Sequence, residues 1–262
     1  MKKMVSSLLM TSALLLGAAA PVVANAATTD AGSTTTGVTF TANTDTTKPV
    51  DPNNPNKTLD PDPTDNGNNG GKPGAGLALA YAPTTIDFGT HEIDLINAHK
   101  YNANGAVDGA TDAKGKAGKD SATTNGTFKL GSGGANTGSK VILEVADGRG
   151  TNAGWDLSVT STGDIASLKG ATITLPAGNV TASGSTDGNG AVSNAVTIDA
   201  GSGSATGTTS NVVLTAATGN GAGVTVDSLD PANLTLNVAA NTASAKTYDG
   251  TLNWSLSDTP SN

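Results

Sequence analysis

Trp155-Asp156-Leu157-Ser158-Val159-Thr160 alternates apolar and polar residues at every step. Side chains of an extended strand point to opposite faces in turn, so Trp155, Leu157 and Val159 share one face. Asp156, Ser158 and Thr160 point the other way. Leu252-Asn253-Trp254-Ser255-Leu256 repeats the pattern near the C-terminal end, and these two stretches contain the chain's two tryptophans. An apolar face backed by a polar one at period two predicts a half-buried β-strand.

Reading outward, the same periodicity predicts strands at Leu77–Tyr81, Thr84–Phe88, Thr127–Leu130, Lys140–Val145 and Ala171–Leu175, and at Ala195–Ile198, Asn211–Ala216, Gly223–Asp227 and Leu234–Val238. Val, Ile, Thr and Leu fill these runs, Gly, Asn, Asp and Ser divide them, and no stretch sustains a 3.6-residue apolar stripe. Short strands at such spacing point to an all-β fold, an antiparallel sandwich or a barrel-like domain, over 77–262. Asp108–Asn125 reads as a polar, mobile loop, and the Gly-, Ser- and Ala-rich patches between Ser183 and Gly223 read as turns. No repeat of fixed period is present.

Residues 27–76 have a different composition. Thr, Ala, Asp and Asn dominate, with Pro49, Pro52, Pro55, Pro61, Pro63 and Pro73 among them. Such a segment has too little apolar surface to offset its ordering entropy, and it is expected to be a largely disordered, extended linker. Thr36-Gly37-Val38-Thr39-Phe40-Thr41 alternates like a strand and is suited to pairing with a sheet edge. Asp60–Gly67 resembles a calcium loop but lacks the later bidentate glutamate, so a linker reading is preferred.

Lys2 and Lys3 precede the apolar run Leu8–Leu16, Pro21 follows it, and Ala24-Asn25-Ala26 supplies a small-x-small cleavage site. Residues 1–26 therefore read as a signal peptide, and no membrane span is expected in the chain from Ala27 onward. The absence of cysteine rules out a lipid-modified cysteine, a disulfide framework and thiol catalysis. The sequence shows neither a Leu-Pro-x-Thr-Gly sorting signal nor an apolar tail after Trp254, so retention at a surface is expected to be non-covalent.

Only 14% of residues are charged, the formal net charge is −8, and there are 34 glycines. Loss of Lys2 and Lys3 with the leader makes the chain more acidic still. Such a chain repels phosphate backbones, which excludes nucleic acid as a partner. It also disfavours simple electrostatic adhesion to anionic wall polymers, so wall binding has to rest on specific contacts.

Catalytic signatures are lacking. His91 and His99 are eight residues apart, which fits no compact zinc motif, and a structural role is expected. No Gly-x-Ser-x-Gly elbow occurs. Glu92 and Glu144 are the only glutamates, and the alternation of Val141-Ile142-Leu143-Glu144-Val145 leaves open whether Glu144 points inward or to solvent. No enzyme, metal or cofactor is expected. Arg149, the only arginine, follows Asp147 in the turn before Trp155. A bidentate pair bracing that turn is the first reading, and contact with a wall carboxylate or phosphate the second.

Three features together resemble the WxL-domain family of surface proteins from low-GC Gram-positive bacteria. They are Gly154-Trp155-Asp156-Leu157-Ser158-Val159 with Asp147 and Arg149-Gly150 before it, the terminal Tyr248…Leu252-Asn253-Trp254-Ser255-Leu256…Pro260, and the Pro/Asp/Asn-rich stretch leading into Leu77–Pro83 and Ile86–Gly89. The resemblance implies a secreted protein held non-covalently at the peptidoglycan-containing wall, with Trp155, Asp156, Leu157, Trp254, Ser255 and Leu256 as the binding motif. It further implies association with other WxL-type surface proteins and a membrane-anchored partner. Two roles for the tryptophans stay open, as anchors of an aliphatic core or as direct ligand contacts. Two functions stay open as well. One is a wall-associated structural or adhesion component binding peptidoglycan or another wall polymer. The other is a subunit of a surface complex whose main ligand is the membrane-anchored partner or a host matrix protein.

Overall fold

A computed structural model describes residues 33–59, 69–83, 86–103, 140–185, 188–200 and 211–260. The chain divides into two units, Met1–Thr39 and Phe40–Asn262. Of the first, residues 33–39 are described; they form no strand and are exposed. In the second, the strands are β1 (Val50–Asp51), β2 (Asn54–Thr58), β3 (Leu77–Tyr81), β4 (His99–Asn102), β5 (Val141–Asp147), β6 (Trp155–Gly163), β7 (Thr172–Leu175), β8 (Asn179–Ala182), β9 (Ala191–Ser193), β10 (Val196–Asp199), β11 (Val212–Ala216), β12 (Gly223–Leu229), β13 (Thr235–Val238) and β14 (Gly250–Ser257). No α-helix occurs among the described residues, only short 3-10 turns. The fold is all-β, as the periodicity requires.

Every strand pairing among the described residues is antiparallel. Three four-stranded sheets run β10-β7-β13-β4, β14-β6-β11-β9 and β3-β5-β12-β8, and β1 and β2 form a separate hairpin. Inward faces of all three sheets contribute to one core, including Leu143 and Val145 from β5, Trp155 and Leu157 from β6, Ile173 from β7 and Leu214 from β11. This cluster has no disulfide to support it, so apolar burial carries the stability.

The sheet containing β5 is covered on both faces. All seven residues of Val141–Asp147 are buried. Val141, Leu143 and Val145 join the main core, while Ile142 and Ala146 join a second cluster with Val50, Leu59, Tyr81, Val224 and Val226. Leu79 pairs with Val145 and Tyr81 with Glu144, so Ala80 is one extra residue on β3. That bulge puts both Ala80 and Tyr81 on the second face.

The second cluster draws two of its residues from the segment before β3. The 27–76 span contains β1 and β2, with Val50 and Leu59 buried and Asn56 Oδ1 accepting the Gly184 N–H at 2.7 Å. The sequence disguises this because the hairpin supplies only two apolar anchors; the remaining apolar surface belongs to β3, β5 and β12. Pro55 fits since it lies in a peripheral hairpin rather than a central strand. Of the remaining expectations, Ile86–Phe88 is not a strand, and β4, β8 and β9 were too short or too polar to read. The Thr127–Leu130 strand, the Asp108–Asn125 loop, Asp60–Gly67 and the signal peptide lie outside the described residues.

Candidate functional site

The turn leading into β6 is tied by one ion pair. Arg149 donates from Nε to Asp147 Oδ1 at 2.9 Å and from Nη2 to Asp147 Oδ2 at 2.8 Å. Nη2 also reaches the Gly154 carbonyl at 2.7 Å, and the Arg149 main-chain N–H meets Asp147 Oδ1 at 3.1 Å. The Asp147 side chain is 2% exposed and that of Arg149 18%. Hydrogen bonding to Asp147 raises the guanidinium pKa further. The fork thus joins the end of β5 to the residue before Trp155.

The two motif tryptophans occupy different environments. Trp155 has no exposed surface, and its Nε1 donates to the Gly221 carbonyl at 3.0 Å. Gly221 has φ +78°, and a Cβ there would sit 2.5 Å from Trp155 Nε1, so only glycine fits. Leu157 is fully buried beside it, and Asp156 is buried on the opposite face, accepting the Thr215 hydroxyl. Three of the residues expected at a ligand are therefore closed off inside the domain.

Trp254 is half-buried. Its strand, β14, pairs with β6 over eight residues, placing Trp254 opposite Val159 and Leu256 opposite Leu157. Leu252, Trp254 and Leu256 are half-buried and pack against the rim of the core, while Thr251, Asn253, Ser255 and Ser257 are exposed. The Ser255 carbonyl accepts from Ser158 Oγ at 3.3 Å. An open groove of about 750 Å³ runs beside this strand. Leu252, Trp254 and Leu256 line it from β14, and Lys72, Pro73 and Leu77 from the β3 side. An aromatic ring beside a solvent-open groove is suited to stacking on the apolar face of a sugar ring or to packing against a peptide.

The buried carboxyls with raised pKa lie elsewhere. Glu144 is fully buried beneath the β1–β2 hairpin, where Oε2 accepts the Val50 N–H at 2.9 Å. Burial pushes its carboxyl up to about 8, against the opposing effect of the Val50 hydrogen bond. Asp227 is buried too and raised to about 6, chiefly by desolvation, with Ser193 Oγ donating to Oδ2 at 2.6 Å. Among the described residues no group of three or more His, Asp or Glu side chains is placed to hold a metal ion. His91 stacks on Tyr101 at 3.8 Å between centroids, and Tyr101 stacks with His99 at 5.8 Å. His99 Nε2 lies 2.8 Å from Asp94 Oδ2. Tyr101, the residue that joins the two histidines, had no signal in the sequence, because its role depends on β4 pairing with β13.

A family model described as "WxL domain surface cell wall-binding" matches residues 27–260. No curated protein and no solved structure matches the chain. Among the described residues no helix is long and apolar enough to cross a membrane.

Proposed function

The chain belongs to the WxL family of surface domains that bind the cell wall, and from that premise we propose that it attaches non-covalently to peptidoglycan, with Trp254 at the contact. Its location is the cell wall and cell surface. The observation that supports Trp254 is the contrast between the tryptophans: Trp155 spends its ring and its Nε1 on the core, whereas Trp254 borders an open groove with Thr251 and Asn253. A groove bordered by one aromatic ring, uncharged polar groups and a single charged side chain, Lys72, suits glycan recognition, since sugars offer apolar ring faces and hydroxyl or amide edges. The protein acts here as a binding and structural component rather than as an enzyme. The two carboxyls held closest to neutrality, Glu144 and Asp227, have no exposed surface from which to act on a polymer.

Sedimentation of the purified chain from Ala27 with protein-stripped peptidoglycan tests this. The parent chain is expected in the pellet, and Trp254→Ala is expected to lose about tenfold or more in affinity, equivalent to about 1.4 kcal/mol, with unchanged circular dichroism. A second reading, a surface-complex subunit whose main ligand is a membrane-anchored partner or a host matrix protein, is favoured by one observation: β14 lies at the edge of its sheet. Sedimentation only when such a protein partner is supplied would replace the first reading with the second.

A further inference from the structure

Edge strands invite pairing unless they are short, bulged, charged or covered. Most edges here are blunted. β9 has three residues, β10 ends in Asp199, and β4 carries Lys100. β8 has four residues and turns back on itself through an Ala182–Ser185 bridge. β3 is covered by main-chain bonds from Gly70 N–H to the Ala82 carbonyl and from Lys72 N–H to the Leu79 carbonyl. β14 has none of these protections. It pairs with β6 without a register shift over Gly250–Ser257, and that stretch contains no charged residue and no proline.

The hydrogen-bond direction shows which groups are open. Val159 sends its N–H to the Asn211 carbonyl, away from β14, so its pair with Trp254 is the non-hydrogen-bonded kind. The N–H and C=O of Trp254, and by the same alternation those of Leu252 and Leu256, therefore point off the sheet edge. Among the described residues nothing pairs with them. A strand laid along this edge would place alternate side chains in the groove that Trp254 lines.

The chain also carries a segment of matching character. Thr36–Thr41 is extended, outside any strand, and exposed, with Val38 76% and Phe40 87% accessible. In a strand those two side chains share one face, with Thr39 between them pointing the other way. No charged residue lies between Asp30 and Asp45. In a chain of net charge −8, copies repel one another except where uncharged stretches meet, and this segment and β14 are two such stretches. Lys72, the one charged side chain lining the groove, faces a donor flanked by aspartates on both sides.

We propose that Thr36–Thr41 of one copy adds as a strand to β14 of a second copy, setting Val38 and Phe40 into the groove beside Trp254. This interface does not rest on wall binding, and it excludes a wall polymer from the same tryptophan. The experiment is therefore run without wall material, so that its failure leaves the wall reading untouched. Sedimentation velocity of the chain from Ala27 is expected to show concentration-dependent association. The Val38→Asp/Phe40→Asp double variant, altered only at exposed positions, is expected to need about tenfold more protein or worse to associate. A peptide of residues 33–44 is expected to shift the emission of Trp254 and compete with association, while Trp155 stays silent in the core. A double variant that associates like the parent overturns the proposal. So does a parent that stays monomeric while the peptide leaves the emission unchanged, and so does a Trp254 shift on introducing Val38→Asp/Phe40→Asp into a strictly monomeric chain, which would mean pairing within one molecule.

Discussion

Val50 donates its main-chain N–H to Glu144 at 2.9 Å, across 94 residues of sequence, in a pocket that the β1–β2 hairpin closes over the outer face of β5. The other carboxyl oxygen, Oε1, has no hydrogen-bond partner. A buried carboxyl with a single donor is held more cheaply as the neutral acid, which is why its pKa rises from 4.5 to about 8. Asp51 on the hairpin adds repulsion of the same sign, Lys57 lies 3.9 Å from Asp51, and Tyr81 is the titratable side chain facing the site from β3.

The folded state therefore binds this proton more tightly than the unfolded state. Stability is greatest below pH 4.5 as far as this group is concerned and declines as pH rises from 4.5 to about 8, by up to about 1.4 kcal/mol per unit. Asp227 contributes in the same direction between 3.8 and about 6. Asp94 and Asp164, whose pKa values are lowered by hydrogen bonds to Asn97 and Lys246 respectively, act oppositely as they become protonated in acid. Melting temperatures across pH 5–8 are expected to fall with rising pH, and Glu144→Gln is expected to flatten the profile above pH 6. A profile that stays steep in the variant would remove Glu144 as the cause.

Leu59, whose N–H donates to the Pro49 carbonyl beside Val50, anchors the open end of the hairpin and is 5% exposed. Leu59→Ala is expected to cost about 2–5 kcal/mol, as for other large-to-small core changes. Because the second cluster is separate from the main core, the loss is expected to appear first as faster amide exchange in β1 and β2, measured by hydrogen-exchange mass spectrometry.

The Asp147–Arg149 pair is buried enough that removing one partner strands the other. Arg149→Ala is expected to destabilise by about 3–5 kcal/mol, with little dependence on salt. Arg149→Lys keeps the charge but loses the fork and the reach to Gly154, so it is expected to fall between the parent and Arg149→Ala in urea unfolding. An Arg149→Ala chain as stable as the parent would show that the arginine serves an external ligand instead.

Exchanging tryptophan for phenylalanine separates the two motif positions. Trp155→Phe leaves the Gly221 carbonyl without its donor and is expected to cost about 1–3 kcal/mol beyond lost packing. Trp254→Phe is expected to change stability little. In the fluorescence of the single-tryptophan chains, Trp155 is expected to emit to the blue of Trp254 and to resist quenching by iodide.

Much of the fold was legible because strand alternation is local. Trp155, Leu157 and Val159 share a face by geometry alone, and the structure buries all three. β14 was likewise readable from Leu252, Trp254 and Leu256. What could not be read depends on partners distant in sequence. Val50 and Leu59 look like isolated apolar residues in a polar linker until β3, β5 and β12 form the surface they cover. His99–Asn102 has no apolar alternation and is a strand because β13 pairs with it.

The Trp-x-Leu strands mark the division most clearly. The sequence alone determined that both tryptophans lie on strands with leucine on the same face, and it determined the family those strands resemble. It gave the two motifs equal standing. Only the tertiary structure separated them, because burial depends on sheet order. Trp155 begins a strand flanked by β14 and β11, and its Nε1 donates to the Gly221 carbonyl in the segment that follows β11. Trp254 lies on the last strand of the same sheet, where among the described residues no neighbour completes the pairing, so its ring borders an open groove and its main chain points off the sheet edge.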